Sequence, residues 1–386
     1  MSQTKQFRVP SIISTGPGAA KEAGIHAKQL GKKALLVTDA NLVKIGLLEE
    51  VKASLDAAGV PYSIYDKVMR EPVVEYVEEG LRAFRDAGAD IVVSVGGGSP
   101  IDAGKAIASL SRNPGEISDY VGTSKIAKPS APLIAIPTTA GTGSEVTPFT
   151  IITNTQTNVK MLISSPHLLP TVALVDPIMT LKMPQGITAA TGLDALTHAI
   201  EAYVSIKAQP LTDTFALQAI RLISSNLRRA WSYPDDLEAR SSVLMGALQA
   251  GLAFANSSVA LVHGMARPIG AYFHVAHGIS NAVLLPAVIE YSVTGNPKRY
   301  ADIAGAMGEQ IRGLSTDDAA QRTIDAVKRL NADLQIPSLS GLGINVAKFE
   351  SLVSKMALDA IASGSPGNNP RKATPEEIVT LYRKSL

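Results

Sequence analysis

Along the first half of the chain, short apolar runs alternate with stretches of helical period. Residues 33–38 (KALLVT) and 90–95 (DIVVSV) are rich in Val and Leu and end at turn or glycine signals. That is the pattern of strands buried on both faces of a parallel sheet. Residues 132–136 and 172–175 repeat it, and between these runs residues 48–58 and 75–87 carry apolar positions at helical spacing. Strands alternating with helices predict a doubly wound α/β layer. Past Met183-Pro184-Gln185-Gly186 the pattern changes. From Thr188 onward the chain is rich in Ala and Leu in long segments of period 3.6, with few strand-like runs. Residues 1–184 are therefore expected to form an α/β domain and residues 185–386 an all-helical one. The last helix is announced by Thr374-Pro375-Glu376-Glu377, with a capping Thr, Pro at the first helical position and Glu at the third.

Composition supports two domains, since 386 residues exceed one ordinary core. With 46% hydrophobic and 18% charged residues, the chain has apolar material for both. A net charge of +2 without a basic run argues against nucleic acid or an anionic membrane surface as partner. The longest apolar stretch, residues 243–255, is too short to span a bilayer and reads as a buried helix. The opening MSQTKQFRVP lacks the apolar core of a secretory signal, and the absence of cysteine excludes disulfides and thiolate metal sites. A cytoplasmic protein is expected.

Two loops carry a phosphate-binding signal. Residues 90–95 run into Gly96-Gly97-Gly98-Ser99-Pro100, and a helical pattern follows to about Leu110. Ser99 is a suitable N-cap and Pro100 a suitable first helical residue, so the exposed amides of that helix would face the loop. The run fits neither G-x-G-x-x-G nor the P-loop, because Ser99 and Ala106 stand at diagnostic positions of the latter. Pro137-Thr138-Thr139-Ala140-Gly141-Thr142-Gly143-Ser144-Glu145 follows the next predicted strand, and loops at strand C-termini are where α/β sheets bind ligands. Asp39 closes the first predicted strand. It reads either as a helix cap or as the acidic residue that binds the adenosine ribose and repels a 2′-phosphate, which favours NAD over NADP.

The helical half offers different chemistry. In TGLDALTHAIEAY, Asp194 and His198 stand four residues apart and share one helical face. VHGMARPIGAYFHVAHG supplies His263, His274 and His277. Asp194, His198, His263 and His277 look like four ligands of one divalent metal; a carboxylate with imidazoles and no thiolate suits Fe(II), Zn(II) or Mn(II). His26 and His167 lack such partners and read as structural or exposed.

These residues resemble the iron-containing (group III) alcohol dehydrogenase family. GGGSPIDAGKA, PTTAGTGSE, LVDP, ITAATGLDALTHAIEAY, VHGMARPIGA and AHGISNAVLLP carry the resemblance, which covers essentially the whole chain. It implies a dehydroquinate synthase-like two-domain plan: a Rossmann-like dinucleotide-binding domain, an all-α metal-binding domain, and an active site in the cleft between. It places the metal on Asp194, His198, His263 and His277. It also assigns the pyrophosphate loop to Gly97, Gly98, Ser99 and Asp102, and the second cofactor loop to Thr138, Thr139, Thr142 and Ser144. Asp39 matches the position that sets cofactor preference and Lys160 a cofactor-side lysine. Phe149 and Phe254 resemble residues lining the nicotinamide and substrate pocket. The implied reaction is hydride transfer between NAD and a small alcohol or aldehyde, with the metal as Lewis acid. Iron is the first choice by resemblance, and zinc the alternative because such a site binds it more tightly. Homodimers and larger assemblies both occur in the family.

One position departs from the pattern. Four residues after His263, where members often have a second histidine, stands Arg267, which cannot serve as acid or base near neutral pH. His274 is a nearby substitute for that proton path. Arg267 would pair with a carboxylate or phosphate of the substrate if it reaches the cleft, or else form a salt bridge elsewhere in the helical domain. Asn369-Pro370-Arg371 recurs in the family, though a turn before the last helix explains it. A metal- and NAD-dependent lyase of the dehydroquinate synthase type is the alternative function; a non-catalytic scaffold would have no need of the four ligands.

Overall fold

The computed structural model describes residues 4–69, 71–157 and 159–386. Its strands are β1 (Ile12–Thr15), β2 (Ala34–Val37), β3 (Tyr62–Tyr65), β4 (Ile91–Gly96), β5 (Gly122–Thr123), β6 (Leu133–Pro137), β7 (Phe149–Asn154), β8 (Val159–Ser164) and β9 (Val172–Val175). The helices among them are α1 (Ala23–Leu30), α2 (Ala40–Lys44), α3 (Glu49–Ala58), α4 (Val74–Asp86) and α5 (Gly98–Leu110). The later helices are α6 (Gln185–Val204), α7 (Pro210–Ser232), α8 (Leu237–Ser257), α9 (Leu261–Phe273) and α10 (His277–Ser292), then α11 (Pro297–Ala306), α12 (Thr316–Asp333), α13 (Val346–Ala362) and α14 (Pro375–Lys384).

Two compact units result. Arg8–Met183 forms the α/β unit, and Pro184–Leu386 forms the helical unit together with the segment that ends at Phe7. The break falls at the Pro184 signal, but residues 4–7, which the sequence pattern groups with the α/β domain, pack elsewhere. Lys5 Nζ donates to the carbonyl of Ala208 at 2.5 Å, and Phe7 stacks on Phe215 with ring centroids 5.5 Å apart.

In the α/β unit all six strands of the main sheet are parallel, in the order β1-β9-β6-β4-β2-β3. Alternate residues feed opposite faces. Leu35, Val37 and Val92 join Phe84 and Ile107 in one core, while Leu36, Ile91, Val93 and Val95 join Val51 and Leu55 in the other. This two-sided burial makes the strand sequences nearly continuous apolar runs. A small second sheet, β5-β8-β7, pairs β7 and β8 as an antiparallel hairpin. Because the main strands are parallel, the turns after β2, β4 and β6 emerge at one edge of the sheet, carrying Asp39, Gly97 and Thr138 in turn.

In the helical unit, α6 is buried almost all round, as a central helix must be. No single helix among the described residues is long and apolar enough to cross a membrane. The stretch 243–255 lies within α8. At Ser258 (φ 78°) the chain leaves α8 and re-enters a helix as α9, the two axes bent by 103°. Pro286 inside α10 has no N–H to give to the Ala282 carbonyl; Asn331 Nδ2 supplies the missing donor at 2.6 Å. The Thr374 capping box of α14 forms as the sequence predicts.

Candidate active site

Three helices bring their ligand-type side chains to one point in the helical unit. Asp194 sits in the middle of α6, His263 in the first turn of α9, and His277 is the first residue of α10. One donor atom from each lies within 4.8 Å of the other two. Asp194 Oδ1 is 3.6 Å from His263 Nε2 and 3.8 Å from His277 Nε2. A tetrahedral ion with bonds near 2.1 Å would hold its ligand atoms about 3.4 Å apart, so the set is close to metal-binding size. The approach depends on Gly278, where a Cβ would lie 2.3 Å from the Ala190 carbonyl of α6. Only glycine lets α10 start this close.

His198, one turn after Asp194, lies beside the three rather than among them. Its Nδ1 is 4.0 Å from Asp194 Oδ2, and its ring is sandwiched between Phe254 (centroids 4.2 Å apart) and His263 (4.3 Å). His274 is not brought to the group. It is the exposed, left-handed C-cap of α9, with φ 57°.

Two further residues complete the constellation. Glu201 Oε2 lies 2.6 Å from His263 Nδ1, and its other oxygen accepts from the Val262 amide at 2.5 Å. A proton on Nδ1, shared with Glu201, leaves Nε2 as the electron-pair donor facing Asp194. Asn281 Nδ2 stands 2.6 Å from Asp194 Oδ1, 3.1 Å from His263 Nε2 and 3.2 Å from His277 Nε2. One amide nitrogen thus marks the point on which all three donor atoms converge.

The electrostatics call for positive charge there. Burial alone would raise the Asp194 pKa, but His198, His277 and His263 together hold it well below the carboxylate range. Burial would lower that of His263, yet Glu201 and Asp194 outweigh it and raise it to about 9. Asp194 and Glu201 thus favour positive charge at this point, which a divalent cation would supply in place of the imidazole proton. The cluster is closed around Asp194 and His263, whose side chains are 3% and 4% exposed, and open at His277, at 40%.

In the α/β unit, β4 leads through Gly97 directly into α5. Gly97 itself is the N-cap, in extended conformation, and the helix begins at Gly98. Ser99 therefore falls one residue inside the helix rather than at the cap, because the strand runs on through Gly96 and the turn is shorter than the sequence indicates. Pro100 follows, still within the first turn, where a missing N–H costs nothing. A Cβ on Gly98 would come within 2.9 Å of Thr142 Cγ2, so the two loops touch there. The Thr138 amide donates to the Gly96 carbonyl at 2.9 Å.

Behind these loops lies a buried charged tie. The Lys105 side chain is fully buried, and its Nζ donates to Ser144 Oγ (2.8 Å), Thr147 Oγ1 (3.0 Å) and the Phe149 carbonyl (2.7 Å), with Asp102 Oδ1 at 3.7 Å. Asp102 Oδ1 accepts from Ser144 Oγ at 2.5 Å, and Oδ2 accepts from the Ile151 amide at 2.9 Å. Asp102 and Ser144 thus spend their hydrogen bonds inside the protein, tying α5 to the second loop and β7. Burial lowers the Lys105 pKa to about 8 and raises that of nearby Glu145 to about 7. Asp39 caps α2, with Oδ1 accepting from the Asn41 and Leu42 amides at 2.9 and 3.1 Å. Lys160, on β8, pairs with Glu71 at 2.6 Å.

Family models for iron-containing alcohol dehydrogenase match residues 10–177 and, for the C-terminal part, residues 188–386. The chain belongs to the iron-containing alcohol dehydrogenase family. It is 44% identical over 384 residues to a 1,3-propanediol dehydrogenase of Klebsiella pneumoniae, covering 98% of both chains. An NAD-dependent methanol dehydrogenase of Bacillus methanolicus is 42% identical over 382 residues, 98% of this chain and 99% of the relative. A solved 1,3-propanediol oxidoreductase superposes with a TM-score of 0.97 at 43% identity, covering both chains fully. This dehydrogenase is a metal-dependent oxidoreductase linking a nicotinamide cofactor to an alcohol or aldehyde. Both family models name a dehydrogenase, not a lyase.

Sequence reasoning about the dehydrogenase missed Glu201, Asn281 and Lys105. Glu201 follows His198 by three residues and Asn281 follows His277 by four, so helical spacing carried the signal for both.

Proposed function

We propose that this dehydrogenase interconverts small alcohols and aldehydes with NAD(H), using Fe(II) held by Asp194, His198, His263 and His277. One observation carries the reading: the donor atoms of Asp194, His263 and His277 all lie within 3.2 Å of a single amide nitrogen. A cation replacing that amide would find one anionic oxygen and two imidazole nitrogens already assembled, with His198 alongside. Bound there, the metal supplies Lewis acidity to the substrate oxygen. Zinc has the same donor preference, and its higher intrinsic affinity makes it the competitor in any preparation exposed to air.

The protein's own groups do the rest. Glu201 keeps the His263 proton on Nδ1 and orients the ring. Phe254 fixes His198 by stacking; by resemblance to the family, Phe149 and Phe254 are the residues proposed to line the nicotinamide and substrate pocket. Gly97, Gly98 and Ser99 offer the cofactor the first amides of α5, which attract phosphate through the helix dipole. Thr138, Thr139 and Thr142 add hydroxyls from the second loop, while Asp102 and Ser144 hold it in place. Asp39 has a second carboxylate oxygen beyond the one capping α2, suited to ribose hydroxyls and hostile to a 2′-phosphate, so NAD is preferred over NADP. Lys160, on β8 and paired with Glu71, is the cofactor-side lysine. Arg267 keeps its proton near neutral pH, and His274 lies outside the cluster. Neither would hand a proton to the substrate oxygen, so that proton would come from solvent on the open side, at His277.

A cytoplasmic homodimer or larger homo-oligomer completes the proposal, to be checked by light scattering. The chemistry is tested by anaerobic reconstitution with Fe(II), Zn(II) or Mn(II), followed by NADH and NADPH oxidation with a panel of aldehydes and ketones. The expected order is Fe(II) fastest and NADH ahead of NADPH; a metal-free protein of equal activity overturns the reading.

A further inference from the structure

Arg267 follows His263 by one turn of α9 and shares its face. From Leu261 to Ile269 every residue of this helix is buried except Arg267, which is partly exposed. The guanidinium makes no hydrogen bond and no ion pair among the described residues, so the salt bridge expected as the simpler explanation is not formed. Burial lowers its pKa, and Glu201 is the charge that opposes this. Yet both Glu201 oxygens already serve the Val262 amide and His263 Nδ1. Five N–H donors therefore lie partly open to solvent with no acceptor from the described residues, free to meet one that a ligand brings.

The position of this cation suggests which ligand. Four residues of helix amount to about 6 Å, so the guanidinium branches from the backbone roughly that far along α9 from His263. The cluster opens at His277, whose side chain is 40% exposed while those of Asp194 and His263 are nearly closed. A substrate whose reacting oxygen meets the cluster would extend over a span of this order before meeting Arg267. We propose that Arg267 selects alcohols and aldehydes carrying an oxyanion a few carbons from the reacting carbon, binding it as a bidentate partner. Carboxylate, phosphate and sulfonate share that chemistry. The inference rests on the dehydrogenase reading above and adds the substrate class to it.

The test compares butyraldehyde with succinic semialdehyde, four-carbon aldehydes that differ by the terminal carboxylate, and adds glycolaldehyde phosphate as a phosphate arm. With metal-loaded protein and NADH, the wild type should show the higher kcat/KM on the charged aldehydes. Arg267→Ala should lose at least tenfold more on succinic semialdehyde than on butyraldehyde, and Arg267→Lys should recover part of the difference through its charge alone. Calorimetric binding of succinate in the presence of NAD should weaken in parallel, independently of turnover. Fluorescence titration of NADH should give equal affinities for all three proteins. Equal losses on charged and neutral aldehydes, succinate binding that ignores the substitution, or a comparable loss of NADH affinity would each overturn the proposal. If butyraldehyde is not reduced with any metal, the dehydrogenase reading fails, and succinate calorimetry still decides whether Arg267 binds an anion. Butyraldehyde turnover without charge discrimination removes the Arg267 role alone.

Discussion

In the helical unit, Asp194 turns its charge toward the point where His263 and His277 converge, and Glu201 holds His263 from the other side of its ring. In the α/β unit, Lys105 and Asp102 turn theirs into the protein, where they bind each other's neighbours and leave the glycine-rich turn to present backbone amides. The difference suits the ligands proposed for the two regions. A compact divalent ion concentrates its charge and is held best by fixed anionic and imidazole donors. A dinucleotide spreads its charge over a pyrophosphate, which oriented amides meet without a large desolvation penalty. Charge in the first region makes the site; in the second it holds the scaffold.

Substitutions can break that comparison. The largest effect is expected from Asp194→Ala, which removes the only carboxylate among the proposed ligands. Activity should fall about a thousandfold or more, the scale of the several kcal/mol that Lewis-acid stabilisation contributes. Metal content measured by elemental analysis should fall with it, while NADH affinity holds. Next comes Glu201→Gln, which leaves the ring of His263 in place but weakens its orienting partner. A chelator competition should show metal affinity reduced by about 10–100-fold.

Lys105→Met sharpens the other side. It removes the cation beside Asp102 and one donor to the Phe149 carbonyl, so the two loops slacken. NADH binding should weaken by about tenfold, as for one lost charge-assisted hydrogen bond, with metal content unchanged. Parallel loss of metal and NADH binding would show that the two regions are not separable in this way.

The smallest effect concerns Glu145, whose pKa burial raises from 4.5 to about 7. The folded state then holds a proton more tightly than the unfolded state, so this contribution is fully present below about pH 4.5 and is lost as pH rises through 7. Glu145→Gln removes the dependence. Its melting temperature should exceed that of the wild type by roughly 2–4 °C at pH 8, the shift that about 1 kcal/mol produces, and converge with it near pH 4.5. A gap that persists in acid would assign the effect to packing instead.

Much of the fold was legible because burial on both faces writes an unmistakable strand, as at β2, β4 and β9. β3 (YSIY) and the β7–β8 hairpin were not, since their residues are only partly buried and mix polar with apolar. At the site, helical spacing disclosed Asp194 and His198, while the meeting of His263 and His277 with them needed the bend at Ser258 and the close approach at Gly278. Lys105 was beyond reach for a different reason. A lysine in a helix looks solvated, and its burial depends on acceptors around 40 residues further on, at Ser144, Thr147 and Phe149. Ser99 shows the converse: local propensity favoured it as the cap, but the strand's length decided where the helix began.

The N-terminal strap has a consequence for how the chain is made. Lys5 meets its acceptor at Ala208, 203 residues later. At translation rates of about 5–20 residues per second, roughly 10–40 s pass before that partner is synthesised. The α/β unit lies wholly within the interval and can be complete before the strap finds its place. The first described residues of the chain are thus among the last to settle, and deleting them should slow the final step of maturation rather than the earliest collapse.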